Sequence, residues 1–358
     1  MIEKTSHFFA SGNTARGAHS LYESAFQGLD PILVLSGPPG TGKSTVIRNL
    51  ADRLLERGLH VQCFHSPLRP DELDGIIATE LKAGVVDGQA AKGMQAYDAG
   101  EVLIFDFGEA LDNERLSPEI GELEAQLAAA YARAYEGFAT ALKIHDEWEH
   151  YYIESMDFAK ADRIAEELIQ ELFAGHGNEA PTRGRRLFFG AATPKGAVDY
   201  IPGLTASLRR RIFIKGRPGS GKSTMLKKIA AAAEANGIEV QIFHCGLDPR
   251  SLDMLIFPGL GTAIFDSTAP HEYFPDRDGD EILDMYERAM TPGTDDVYAD
   301  ELAAIRQRYS AKMREATSHL AEAEAIDARM KKLHAAATDY AIVEEIGLQL
   351  QTILDKLR

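Results

Sequence analysis

The chain has 358 residues, 45% hydrophobic and 26% charged, with a formal net charge of −17 and two cysteines. This length suffices for two domains of ordinary globular composition, and the negative charge argues against a nucleic-acid surface, for which clustered Lys and Arg are needed; the short "RRR" at 209–211 does not reverse it. Two cysteines exclude a disulfide framework or zinc knuckle, no apolar run nears the roughly 18 residues of a membrane helix, and the opening "MIEKTSHFFASGN" lacks a signal pattern, so a cytoplasmic location is expected.

In chain order, "PILVLS" (31–36) predicts a strand and "TVIRNLADRLLERG" (45–58) a helix, with Val46, Ile47, Leu50, Ala51 and Leu54 at helical spacing and Gly58 closing it. Between them lies "SGPPGTGKST" (36–45), a Gly-x-x-x-x-Gly-Lys-Ser phrase. Its glycines let successive backbone N–H groups turn inward around a polyphosphate. Gly37, Gly40, Thr41, Gly42, Lys43, Ser44 and Thr45 are therefore candidate nucleotide contacts. Lys43 would reach the β- and γ-phosphates, and the Ser44 hydroxyl would ligate Mg²⁺. A second strand ends at His65, "LD" follows at 73–74, and "KAGVVDG" (82–88) predicts another strand ending on Asp87. From about 117 to 174 the chain turns Ala- and Glu-rich and reads as long helices, with Leu123, Leu127, Tyr131, Phe138 and Leu142 in one stripe. Gly, Pro and charge interrupt this pattern in "AGHGNEAPTRGRR" (174–186).

The same order then repeats. "RRIFIK" leads into "KGRPGSGKST" (215–224), placing Gly216, Gly219, Ser220, Gly221, Lys222, Ser223 and Thr224 as the second set of nucleotide contacts. Aligned at an offset of 179, residues 37–74 keep 17 of 38 identities, 10 of them beyond the loop, so the repeat is of a whole unit and not of a motif. His244, Asp253 and Asp266 match His65, Asp74 and Asp87, and helices over about 297–357 carry Leu302, Ile305, Tyr309, Met313 and Leu320 as a matching stripe. Late in the helices "MDFAKADRIAEEL" matches "TDYAIVEEIGLQL". The chain reads as a tandem duplication, with a first domain over 1–178 and a second over 179–358. Each is expected to be α/β, a parallel sheet flanked by helices and followed by a long helical hairpin.

The chain resembles a family of largely uncharacterised bacterial proteins with two P-loop units in tandem, labelled ATPase or nucleotide kinase. The resemblance covers essentially the whole chain and rests on "GPPGTGKST", "GRPGSGKST", the "LD" after each second strand, and "IFDSTAPH" (264–271). It implies a P-loop NTPase fold binding ATP, with no particular substrate.

Asp87 and Asp266 end apolar strands and are candidate Mg²⁺ ligands, alongside Ser44 and Ser223. Asp106 in "EVLIFDF" competes, but its aligned partner is Met285. Asp74 and Asp253 would accept a proton from an acceptor hydroxyl, or else serve in packing or in capping a short helix. His65 and His244 would contact substrate or serve as buried structural histidines. Arg16 and Lys195, in matching Thr-x-Arg/Lys-Gly contexts, would neutralise γ-phosphate charge or stand as solvated charges; Arg217 has no counterpart, since Pro38 holds its place. His271 lies opposite Lys92, which makes the second unit the better catalytic candidate. Trp148 reads as packing rather than base stacking. Gly88 and Ser267 follow the strand-end aspartates where a water-polarising Glu would stand, and the lack of an Asn-Lys-x-Asp motif favours ATP over GTP. Three functions follow. One is an Mg²⁺-dependent ATPase whose two units form an internal pseudo-dimer. Another is a kinase acting on a small molecule or nucleotide, and the third is a nucleotide-gated partner-binding protein. The partners expected are a nucleotide and, for a kinase, a small-molecule acceptor; the sequence names no protein partner. The helical stripes are expected to pack on their own sheets.

Overall fold

The computed structural model describes residues 4–92, 100–176 and 179–357; the boundary expected at 178/179 abuts residues outside this set. In the first half, β1 (Thr5–Phe8), β2 (Ser11–Thr14), β3 (Gly17–Ser20) and α1 (Tyr22–Ala25) precede β4 (Ile32–Ser36) and α2 (Lys43–Glu56). Then come β5 (Val61–His65), β6 (Leu73–Ala78), β7 (Ala83–Asp87), β8 (Val102–Asp106), α3 (Ile120–Ile153) and α4 (Phe158–Leu172). The second half begins with β9 (Arg185–Leu187), β10 (Gly190–Thr193), β11 (Gly196–Asp199), α5 (Ile201–Thr205), β12 (Arg210–Lys215) and α6 (Lys222–Ala235). It continues with β13 (Gln241–His244), β14 (Leu252–Phe257), β15 (Thr262–Asp266), β16 (Asp280–Asp284), α7 (Met285–Ala289), α8 (Thr294–Val297), α9 (Ala299–Ala336) and α10 (Tyr340–Lys356).

Two six-stranded sheets carry the same strand order, β1-β5-β6-β7-β4-β8 and β9-β13-β14-β15-β12-β16. Neither is wholly parallel, contrary to the sequence expectation. β6 runs antiparallel to β5 and β7, and β14 to β13 and β15. The reason is the length of the connections. A parallel crossover takes a dozen or more residues, whereas only residues 66–72 and 245–251 precede these strands. Asp74 and Asp253 therefore stand second in a strand and cap no helix, which corrects the capping part of the alternative reading of both. The remaining neighbours are parallel, and the loop-bearing strands β4 and β12 lie between β7 and β8 and between β15 and β16. Ser36 pairs with Asp106 and Lys215 with Asp284, so Asp284, and not Met285, is the structural counterpart of Asp106.

The two sheets face each other across one aromatic core that includes Phe8, Phe26 and Phe64 from the first half and Phe189, Phe213, Phe243 and Phe265 from the second. α2 covers the outer face of the first sheet through Val46, Ile47, Leu50, Ala51 and Leu54, the five residues whose spacing predicted that face. Beside it lies α10 from the far end of the chain, burying Val343, Ile346, Leu350 and Leu354 in the same core. The outer face of the second sheet is covered reciprocally, by α6 and by α4 from the first half through Ala161, Ile164, Ala165 and Leu168. α3 and α9 run antiparallel against each other, with Gly137 against Ala316 and Arg133 paired to Glu322. The helical stripes accordingly bury Phe138 and Leu320 in the α3–α9 seam, with Tyr131 and Met313 packed alongside. This replaces the expected packing of each stripe on its own sheet. The two halves also share an antiparallel bridge between Phe9 and Phe188, with reciprocal N–H to O distances of 3.0 and 2.9 Å. Among the described residues, no helix is long and apolar enough to cross a membrane.

Candidate nucleotide-binding site

Each loop follows a buried strand and opens a helix. Gly42 and Gly221, at φ +94° and +79°, occupy the left-handed region at the N-caps of α2 and α6. Any other residue type would be strained there. The helix N-terminus with its unpaired N–H groups is suited to an anion. Lys43 is buried and donates to the Pro38 carbonyl at 2.8 Å, while its Nζ lies 3.6 Å from Asp87 Oδ2. Lys222 donates to the Arg217 carbonyl at 2.9 Å and lies 3.6 Å from Asp266 Oδ2. The two loops thus present one geometry: a lysine bridging the loop and the carboxylate at the end of the adjacent strand. Burial holds Lys43 below its usual pKa, while Asp87 opposes that shift; burial likewise raises Asp87, with Lys43 opposing.

Ser44 and Asp87 in one site, and Ser223 and Asp266 in the other, offer the hard oxygen donors that Mg²⁺ takes, so the side chains present fit that ion. One acceptor position of the Ser223 hydroxyl is engaged by the Leu252 N–H at 2.9 Å. Thr41 donates to Pro38 O at 3.0 Å and braces its loop, whereas the buried Ser220 hydroxyl has no partner among the described residues. Thr45 and Thr224 are exposed on the first turn of their helices. Asp106 accepts from the Gly108 N–H at 2.8 Å and from Ser36 Oγ at 3.1 Å, and Asp284 accepts from the N–H groups of Tyr286 and Glu287. Both therefore cap short turns.

Asp74 and Asp253 start their strands at the edge that carries the loops. Burial first, and then the charge of Asp87, raises Asp74 to about 8. Burial first, and then Asp266, raises Asp253 to about 6. His65 and His244 approach the carbonyls of Pro70 and Pro249, each at 2.6 Å, and so tie down the segment after the second strand, as structural histidines do. Burial lowers His65 to about 4. His271 is held by Asp199, Nδ1 to Oδ2 at 2.7 Å, and Asp199 also accepts from Tyr273 Oη at 2.8 Å. The His271 backbone N–H donates to the Thr268 carbonyl at 2.9 Å and the Thr268 hydroxyl donates to Asp266 at 2.7 Å, so this dyad borders the second site. Lys92, its sequence counterpart, is exposed.

Other candidate side chains are engaged in pairs of their own. Arg16 pairs with Asp248 at 2.8 Å and Lys195 with Asp71 at 2.5 Å, each reaching across to the opposite half. Arg217 is fastened to Asp295 at 2.8 Å beside the Tyr286 ring. Trp148 packs edge-on to Tyr309 in the α3–α9 seam, as expected of a packing residue. Sequence reasoning missed the residues that the opposite half brings to each loop. α9 lays Lys331 against the first loop and pairs Asp327 with Arg69 at 2.8 Å. α3 lays Glu149 against the second, with His145 at 3.6 Å from its carboxylate. Periodicity could not reveal them, because a stripe reports which face is buried and not against which half.

A buried strand, a glycine loop with a buried lysine, a helix opening beneath it and a carboxylate on the neighbouring strand together define an ATP-binding P-loop NTPase. Consistent with this, residues 8–183 match the family model for an AAA ATPase domain. No curated protein and no solved structure matches the chain.

Proposed function

We propose that the chain is an Mg²⁺-dependent ATPase with two nucleotide sites, built by duplication of a unit over 1–178 and 179–358 into an internal pseudo-dimer. The observation that carries this reading is the repeated geometry of the two lysines, each 3.6 Å from its strand-end carboxylate. Lys43 and Lys222 bind the β- and γ-phosphates, while the loop N–H groups wrap them. Ser44 with Asp87, and Ser223 with Asp266, hold Mg²⁺, which supplies charge neutralisation at the transferring phosphoryl group. Asp253, whose pKa burial and Asp266 raise to about 6, and His271, oriented by Asp199, serve as proton-handling groups in the second site. The absence of a membrane-crossing helix among the described residues, together with two unpaired cysteines, supports a cytoplasmic location. Phosphate release from Mg²⁺-ATP tests the proposal. The chain should release phosphate and a Lys43→Ala/Lys222→Ala double variant should not; equal release from both removes the ATPase reading.

A second reading, transfer of the γ-phosphate to a small molecule or nucleotide, has its own support. Gly88 and Ser267 stand where a water-polarising Glu would follow the aspartates, and Asp74 and Asp253 lie at the loop edge of each sheet. Under this reading ATP turnover rises with an acceptor, and label from γ-labelled ATP appears on it. Turnover that is indifferent to a small-molecule extract would dismiss it. A nucleotide-gated docking role has less support, because the helical stripes it would use are buried between α3 and α9.

A further inference from the structure

Each loop is completed by a helix from the opposite half, and the two completions carry opposite charge. A Cβ on Gly40 would lie 2.7 Å from Lys331 Cα; one on Gly219 would lie 3.1 Å from Glu149 Cα and 2.6 Å from its carbonyl oxygen. One turn on, Gly42 faces Val343 and Tyr340 while Gly221 faces Met156 and Ala161. The backbones therefore approach in the same way, and Lys331 and Glu149 hold equivalent places. Lys331 pairs with Glu72 and lies 4.0 Å from Asp327. Its charge reaches Lys43, Asp74 and Asp87. Lys331, ion-paired to Glu72, thus adds a second cationic residue beside the first loop. At the second loop Glu149 packs against Gly219, its carboxylate 3.6 Å from His145 and within the field of Lys222. A carboxylate there competes with phosphate for the lysine and repels phosphate besides.

We propose that Lys331 makes the first loop the tight site for a nucleoside triphosphate, while Glu149 makes the second the weak one. The inference rests on the two-site ATP reading above and goes beyond it by ranking the sites and naming the residues that rank them.

Calorimetric titration of the full chain with Mg²⁺-ATP tests it, using Lys222→Ala to leave the first loop and Lys43→Ala to leave the second. The first loop should bind at least about tenfold more tightly, the effect expected of about 1.4 kcal/mol. Adding K331Q to the Lys222→Ala chain should weaken binding by about tenfold, and adding E149Q to the Lys43→Ala chain should strengthen it by a similar factor. These two substitutions keep side-chain size and move affinity in opposite directions, which a loss of folding cannot imitate. Equal affinities at the two loops, or weaker binding on E149Q, would overturn the ranking. Absence of any ATP binding by the unaltered chain would instead overturn the reading on which it rests.

Discussion

Asp74 shows how far one side chain can be read from each source. The repeat in the sequence singles it out, since Asp253 matches it at the offset of 179, yet its protonation depends on burial and on Asp87, which the fold alone brings near. With Asp74 raised from 3.8 to about 8, the folded chain holds a proton that the unfolded chain releases between those values. This contribution to stability is full below about pH 4 and lost as pH rises through about 8. Asp74→Asn removes the titration. Its melting temperature relative to the unaltered chain should therefore climb from pH 5 to pH 9, by the equivalent of about 4 kcal/mol. A difference that does not change with pH would show that Asp74 is not proton-bearing in the fold. Gly40 makes a complementary case. Its φ of +89° and the Lys331 backbone against it leave no room for a Cβ, so Gly40→Ala should weaken ATP binding and cost roughly 1–3 kcal/mol of stability by thermal melt.

At the scale of elements, α2 was legible because its apolar residues recur at helical spacing and Gly58, at φ +84°, ends it as a helix-terminating glycine should. β6 and β14 were not. "LDGIIA" and "LDMLIF" are short runs buried at nearly every position, without the alternation that marks a half-exposed strand. Their antiparallel sense came from connection length rather than from any residue. α4 and α10 begin on matching caps, Asp157 accepting from the Lys160 N–H at 3.0 Å and Asp339 from the Ala341 N–H at 2.9 Å. Replacing either by Ala should cost about 1 kcal/mol. Leu350→Ala, at a fully buried position of α10 against the first sheet, should cost about 3 kcal/mol. Both are measured by denaturant unfolding. A loss at Leu350 no larger than at a cap would mean that α10 is not part of the first sheet's core.

For the whole molecule, the crossing of helices makes each half depend on the other. A fragment covering 1–178 would lack α10 over its sheet and would expose the aromatic face built on Phe8, Phe26 and Phe64. Alone it should aggregate or pair with itself, whereas 1–178 and 179–358 expressed together should co-purify as a one-to-one complex. Gel filtration with mass determination decides between these. A stable monomeric 1–178 fragment would contradict the shared core.

By itself the sequence determined the two glycine-lysine loops, the helices beneath them and the repeat of their pattern, because each is written in local chemistry: glycines that permit left-handed turns, a lysine and serine at set spacing, and apolar residues at helical period. Only the tertiary structure decided the sense of β6 and β14, the pairing of Asp106 with Asp284 as counterparts, and the placing of Lys331 and Glu149 beside loops far away in the chain. Those depend on which buried face meets which. Hydrophobic contact has no direction of its own, so a stripe in the sequence cannot say whose surface will cover it.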